Sequence, residues 1–184
     1  SKTKELTVLY AGRLTYAKGV DLAVEAMSRV KEFNAKLIIV GDGDMRADIE
    51  KRVAKSGIRA EMTGWVPESE IGKYYETADI FLHPARWPDP APRTIVATAQ
   101  YGLPVIVPNA GGSSWIVGEA GLVYKTGNLE DLTKALRTLL SSQTLRKNLS
   151  SKGPAQALRF EEKVVYPQLE NVLQRTIREA GGNG

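Results

Sequence analysis

The sequence predicts an α/β fold, a doubly wound parallel sheet of six strands with helices on both faces. Three features predict it. Short β-branched and leucine-rich runs alternate with stretches whose apolar residues recur at helical spacing. Repeated βα units need crossover connections, which make the strands parallel and cover the sheet on both sides. The first four strands end in loops rich in glycine, proline or cations, and in such sheets ligands bind beyond the carboxyl ends of the strands.

Leu6 to Ala11 reads as the first strand, and Val20, Ala23, Val24, Met27 and Val30 give the apolar stripe of the first helix. Lys36 to Val40 is the second strand, ending at Gly41-Asp42-Gly43. Met45, Ile49 and Val53 stripe the next helix, and Gly57 suits its C-terminal stop. Arg59 to Thr63 is the third strand, and Ile71, Tyr74, Tyr75 and Ala78 form one face of a short helix behind Pro67. Asp79 to His83 is the fourth strand, followed by an irregular loop, Pro84 to Pro92, with four prolines. A helix is expected from Pro92, since proline is tolerated at the first helical position, and Gly102 with Pro104 ends it. Val105 to Val107 and Gly121 to Tyr124 are the fifth and sixth strands, with a short helical turn opened by Gly111-Gly112 between them. Asn128, with Asp131 three residues on, resembles a capping arrangement before Leu132, Ala135, Leu136, Leu139 and Leu140. Further helices are expected over Thr144 to Ser151 and over Phe160 to Arg178, the last kinked at Pro167. The glycine-rich end, Gly181 to Gly184, is expected to fray.

At 184 residues the chain suits one sizeable domain that buries a core without staples. It has no Cys, which excludes disulfides and cysteine-ligated metal, and its single His argues against a His-based metal site. The net charge of +4 comes from interspersed charges with no long basic run, so no nucleic-acid partner is expected. Apolar runs are strand-sized, and neither a membrane-spanning helix nor a signal peptide is expected. The chain opens on Ser1 and reaches a core strand within a few residues, so it is expected to be a fragment cut at a domain boundary.

The chemistry is expected to centre on Tyr10 to Gly19. A strand that ends in a glycine turn and feeds a helix aims backbone N–H groups and a positive dipole end at a phosphate. Arg13 and Lys18 flank that turn. A bidentate guanidinium and a compact ammonium suit a diphosphate, and both would neutralise charge on a departing nucleoside diphosphate.

A set of motifs runs in register with this turn, from about Leu6 to Leu140. They are Gly12-Arg13-Leu14 with Lys18-Gly19, Gly41-Asp42-Gly43, Gly64-Trp65-Val66-Pro67, Tyr75 to Asp79 with Pro84, Tyr101-Gly102-Leu103-Pro104-Val105, Gly111-Gly112 and Gly121-Leu122-Val123. Together they resemble the family-4 retaining glycosyltransferases, specifically the C-terminal, nucleotide-sugar-binding half of a GT-B enzyme. The resemblance implies a Rossmann-like domain whose partner, an N-terminal acceptor domain, is absent from this chain. It implies a UDP- or GDP-linked sugar as donor, with Arg13 and Lys18 on the diphosphate and Asp89 on hydroxyls of the transferred sugar. Trp65 and Val66 would flank the nucleobase, and Gly12, Gly41, Gly43, Ala91, Arg93, Thr94, Gly111 and Gly112 would complete the donor site. For Gly111-Gly112 a mere tight turn is the alternative. No cofactor and no metal are implied, and the acceptor would be a lipid-linked molecule or a glycan. The enzyme would be cytoplasmic, meeting the membrane peripherally, if at all, through the absent half.

Three departures from the family pattern stand out. Its two glutamates, separated by seven residues, fall at Asp89 and Ala97, so the carboxylate that usually holds the ribose is lost. That loss is expected to cost about 1.5–3 kcal/mol of donor binding, a ten- to hundredfold weakening. Pro92 replaces a glycine and removes a backbone donor at a helix start, and Trp115 replaces an acid beyond the Gly-Gly pair. His83 reads as a polar rim residue, the family's catalytic histidine belonging, where one exists, to the absent half. Trp87 reads equally as a loop anchor or as a neighbour of base or sugar.

The expected activity is hexosyl transfer with retention, the isolated chain being inactive and a weak binder of nucleotide sugar. A catalytically degenerate binding module is the first alternative, favoured by Ala97, Pro92 and Trp115. A sugar-nucleotide epimerase on the same fold is the next. An NAD dehydrogenase fits poorly, because the first turn lacks three-glycine spacing and no acid closes the second strand.

Overall fold

A computed structural model describes residues 4–181. Six parallel strands form one sheet: β1 (Leu6–Ala11), β2 (Ala35–Val40), β3 (Ala60–Gly64), β4 (Ile80–Leu82), β5 (Val105–Pro108) and β6 (Gly121–Tyr124). Their order is β3-β2-β1-β4-β5-β6, which is doubly wound as expected, with the reversal between β1 and β4. Helices α1 (Val20–Ser28), α2 (Arg46–Ser56), α3 (Glu68–Thr77), α4 (Arg93–Gln100), α5 (Ser113–Val117) and α6 (Leu129–Ser141) connect or follow them. Two more, α7 (Gln143–Leu158) and α8 (Glu162–Gly181), complete the chain.

Two cores follow from the two-residue period of the strands. Val8, Tyr10, Leu37, Ile39, Ile80, Leu82 and Ile106 share one core with residues of α1, α2 and α6. Leu9, Ala11, Ile38, Val40, Phe81, Val105 and Val107 alternate with them and share the other with residues of α3, α4 and α5. Runs apolar at every position are what a sheet covered on both faces requires.

Several boundaries differ from the sequence expectation. β4 spans only Ile80–Leu82 of the expected Asp79 to His83, although the Asp79 and His83 N–H groups still donate to Thr7 O and Ile106 O of the neighbouring strands. The Asp79 carboxylate accepts the Thr7 N–H at 2.9 Å, so a side chain takes the donor that a strand carbonyl would. Pro92 is the N-cap of α4, in extended conformation, and not its first helical residue. α7 is much longer than Thr144 to Ser151: Gly153 gives the close approach to α4 that keeps it packed, a Cβ there lying 2.7 Å from Ala99 O. The helix thus continues through Pro154. α8 begins at Glu162 and not Phe160, and runs as one element through Pro167. Asn128 caps α6 by accepting the Asp131 N–H at 3.0 Å, but Asp131 returns to the Lys125 N–H at 2.7 Å and not to Asn128. Of the end expected to fray, Gly181 closes α8 and residues 182–184 lie outside the described residues.

Candidate functional site

All six strands being parallel, the loops after β1, β2, β3 and β4 lie along one rim. Backbone hydrogen bonds tie them together. Leu14 N–H donates to Asp42 O at 2.9 Å, and Gly41 N–H to Gly64 O at 2.8 Å. Gly41 is obligatory there, because a Cβ would lie 2.0 Å from Gly12 O. Gly43 packs on the Leu14 backbone. In the first loop the Tyr10 hydroxyl donates to Arg13 O at 2.9 Å, and Leu14 is fully buried. With the turn pinned on both sides, the Arg13 side chain is exposed, and it has no hydrogen-bond or ion-pair partner among the described residues.

A cleft of ≈ 270 Å³ opens at this rim. Gly12, Arg13, Gly41, Trp65, Val66 and Thr94, six of the residues singled out from the sequence, line it. Asp42, Ile71 and Tyr75, which were not among the expected donor-site residues, line it too. Burial first, then the neighbouring Tyr101, pushes the Tyr75 phenol up to about 12, so it remains a neutral hydroxyl. Trp65, which lines the cleft, is 74% exposed.

The Lys18 side of the rim is separately built. Residues Tyr16–Lys18 form a 3₁₀ turn, and Gly19, at φ 71°, lets Pro84 O come where a Cβ would be 2.0 Å away. The proline-rich loop is then clamped on the turn: Arg86 and Trp87 N–H both donate to Ala17 O. The Arg86 guanidinium grips the Asp21 carboxylate with two bonds, at 2.7 and 2.8 Å, and lies 4.0 Å from the centre of the Tyr16 ring. Burial alone would raise the Asp21 carboxyl, but the hydrogen bonds and charge of Arg86 outweigh it and hold it below its usual value.

Beyond that clamp, Lys18 Nζ meets Asp89 Oδ2 at 3.0 Å. Asp89 Oδ1 accepts the Ala91 N–H at 3.1 Å, and Asp89 O accepts the Gly112 N–H at 2.9 Å. Gly111, at φ 60°, has Asp89 O where its Cβ would sit, 2.2 Å away. The Gly-Gly pair is therefore a tight turn fitted to the Asp89 loop, with the Gly112 N–H already committed. Burial would raise the Asp89 carboxyl, but Lys18 and the Ala91 N–H lower it on balance.

His83 lies under this pair. It is 7% exposed, and its Nε2 has no hydrogen-bond partner among the described residues. Burial, then the charge of Lys18, pushes it down to about 4, so the ring is neutral at pH 7. Arg93 and Ala91 are exposed at the start of α4. Ala97 is half-buried and packs with the apolar residues of the second core. The Trp115 ring meets Phe160 edge-on at 5.5 Å and has the Arg159 guanidinium over it at 4.5 Å. Trp87 is 64% exposed. Among the described residues no group of three His, Asp or Glu side chains is placed to hold a metal ion.

Sequence reasoning missed Arg86 and Asp21. The one available signal was Asp21 itself, a carboxylate three residues before Val24 on the apolar side of α1.

The family model described as Glycosyl transferases group 1 matches residues 1–156. The chain belongs to that family. Among its curated relatives, this group 1 glycosyltransferase domain is 25% identical over 169 residues to a sulfoquinovosyl transferase of Arabidopsis thaliana, covering 89% of this chain and 32% of that protein. An amylovoran biosynthesis glycosyltransferase of Erwinia amylovora is 25% identical over 171 residues, covering 92% of this chain and 48% of that one. The domain thus spans half or less of the length of these relatives. Its fold superimposes on Anabaena HepE in complex with UDP with a TM-score of 0.84, at 22% identity, over 93% of this chain and 49% of that one. The architecture is that of one half of a GT-B glycosyltransferase.

Proposed function

We propose that this domain is the C-terminal, donor-binding half of a family-4 retaining glycosyltransferase that moves a hexose from a UDP- or GDP-linked donor to an acceptor. The observation that carries it is the cleft in which Arg13, free of partners among the described residues, stands beside Trp65, Val66, Gly41 and Thr94. An arginine without an internal partner at the first crossover suits a diphosphate, and the exposed Trp65 ring suits a base. The complexes of HepE with UDP and with UDP-glucose support a nucleotide-sugar ligand.

In this reading Arg13 and Lys18 neutralise charge on the diphosphate as the bond from the sugar's anomeric carbon to the phosphate oxygen breaks. The acceptor oxygen attacks on the face the diphosphate leaves, and a phosphate oxygen takes its proton, so configuration is retained without a protein nucleophile. Asp89 holds sugar hydroxyls. The reading requires no divalent metal, and activity of the longer protein is expected to survive EDTA. The acceptor, a lipid-linked molecule or a glycan, sits on an N-terminal domain, and the protein works in the cytoplasm. α8 supports the second domain: from Val165 to Ala180 its residues are exposed, including Leu169, Val172, Leu173 and Ile177. This stripe is the surface we assign to that domain.

Calorimetry tests the site. Arg13→Ala and Lys18→Ala are each expected to weaken UDP or GDP binding by about 1.5–3 kcal/mol. Unchanged affinity in both would refute the placement of the ligand.

A degenerate donor-binding module is the second reading, favoured by Ala97, whose position is apolar and half-buried with no carboxylate to hold a ribose. Ala97→Glu in the full-length protein separates the two: a large gain in transfer supports the degenerate reading, and efficient transfer by the natural protein ends it.

A further inference from the structure

We infer that Asp89 is an internal competitor for Lys18, and that this makes the site prefer a sugar nucleotide over the spent nucleoside diphosphate. The inference rests on the donor site proposed above. Lys18 Nζ and Asp89 Oδ2 lie 3.0 Å apart, and their side chains are only 27% and 25% exposed. The ammonium assigned to the diphosphate is therefore already neutralised by a carboxylate of the same site.

The two partners differ in freedom. Asp89 is held: its carbonyl takes the Gly112 N–H, its second carboxylate oxygen takes the Ala91 N–H, and its backbone packs closely against Gly111. Lys18 ends a single 3₁₀ turn on a long flexible stem. A diphosphate that recruits Lys18 must draw it off a carboxylate that stays where it is. Bare nucleoside diphosphate leaves that carboxylate unpaired beside new negative charge. A sugar nucleotide brings hydroxyls, which donate to Asp89 in place of the ammonium. Asp89 thus opposes the diphosphate alone and accepts the diphosphate that carries a sugar, which favours release of the product after transfer. Arg13 has no partner among the described residues and therefore no such opponent.

The test is calorimetry on the protein and its Asp89→Asn, Asp89→Ala and Lys18→Ala variants, with UDP, GDP, UDP-glucose and GDP-mannose as probes and circular dichroism to verify folding. Asp89→Asn still offers an oxygen to the Ala91 N–H. It is expected to bind UDP or GDP about three- to tenfold tighter than the natural protein while gaining nothing for the sugar-linked form. Asp89→Ala is expected to shift in the same direction, and Lys18→Ala to weaken both ligands. Diphosphate binding that Lys18→Ala weakens but neither Asp89 variant tightens would overturn the inference and leave the donor site standing. No binding of any probe to the natural protein would overturn the donor site and the inference with it.

Discussion

Arg86 and Asp21, 65 positions apart in sequence, meet in a two-pronged ion pair at 2.7 and 2.8 Å that closes the proline-rich loop over the first crossover. Truncating the cation leaves a largely buried carboxylate without its partner, which is far worse than removing both. Arg86→Met is expected to lower the unfolding free energy by about 2–4 kcal/mol, read from urea titration at neutral pH. Because the folded Asp21 carboxyl is held below its ordinary value, the pair's stability is present above that value and lost as pH falls through the folded one. The difference between the natural protein and Arg86→Met is therefore expected to shrink in acid.

His83 sets a second pH dependence, in a different window. Unfolded, the imidazole takes a proton near 6.5; folded, burial and Lys18 hold it down to about 4. Its folded value is depressed, so stability is complete above 6.5 and declines as pH falls toward 4. The decline attributable to His83 is on the order of 3 kcal/mol. His83→Phe removes a group that must stay neutral, and is expected to flatten the unfolding free energy between pH 6.5 and 4.5. An unaltered slope in the variant would mean that His83 is not the group responsible.

Gly19 and Gly127 separate crowding from backbone strain. Both have φ above 70°, but a Cβ on Gly19 would lie 2.0 Å from Pro84 O, whereas nothing lies within 4 Å of one on Gly127. Gly127→Ala is expected to cost about 1–2 kcal/mol, the left-handed penalty alone. Gly19→Ala is expected to cost about 3 kcal/mol or more, since Pro84 must also move. Thermal unfolding of the two variants measures the difference.

α8 contributes little to the domain it ends. With its side chains exposed from Val165 to Ala180, deletion of residues 165–184 is expected to leave the thermal midpoint within about 2 °C. A large fall would show that the helix stabilises its own domain and would weaken its assignment to a second one.

The sheet was legible because both faces of its strands are covered, so Val8 to Ala11 and Leu37 to Val40 read as unbroken apolar runs. The loops at the carboxyl ends of the strands were legible because glycine is forced there: Gly41 and Gly111 each have a carbonyl where a side chain would be. What stayed hidden was pairing across distance. Arg86 looks like an ordinary surface charge until the fold joins it to Asp21, whose place on the apolar side of α1 does not say what it meets, and nothing near Lys18 in sequence announces Asp89. α7 was cut short for a related reason. Gly153-Pro154 looks like a stop, and only its packing against Ala99 explains a helix that runs on to Leu158.

The order β3-β2-β1-β4-β5-β6 has a kinetic consequence. Arg13 and Lys18 belong to the half of the chain that builds β1 to β3, whereas Asp89, Arg86 and Thr94 arrive with the half that builds β4 to β6. An early intermediate in which only the first three strands have assembled would carry both cations without the Asp89 that pairs with Lys18 and without the Thr94 that lines the cleft with Arg13. On the donor site proposed above, acquisition of nucleotide affinity during refolding is expected to mark the joining of the two half-sheets, and a fluorescent nucleotide would time that event directly.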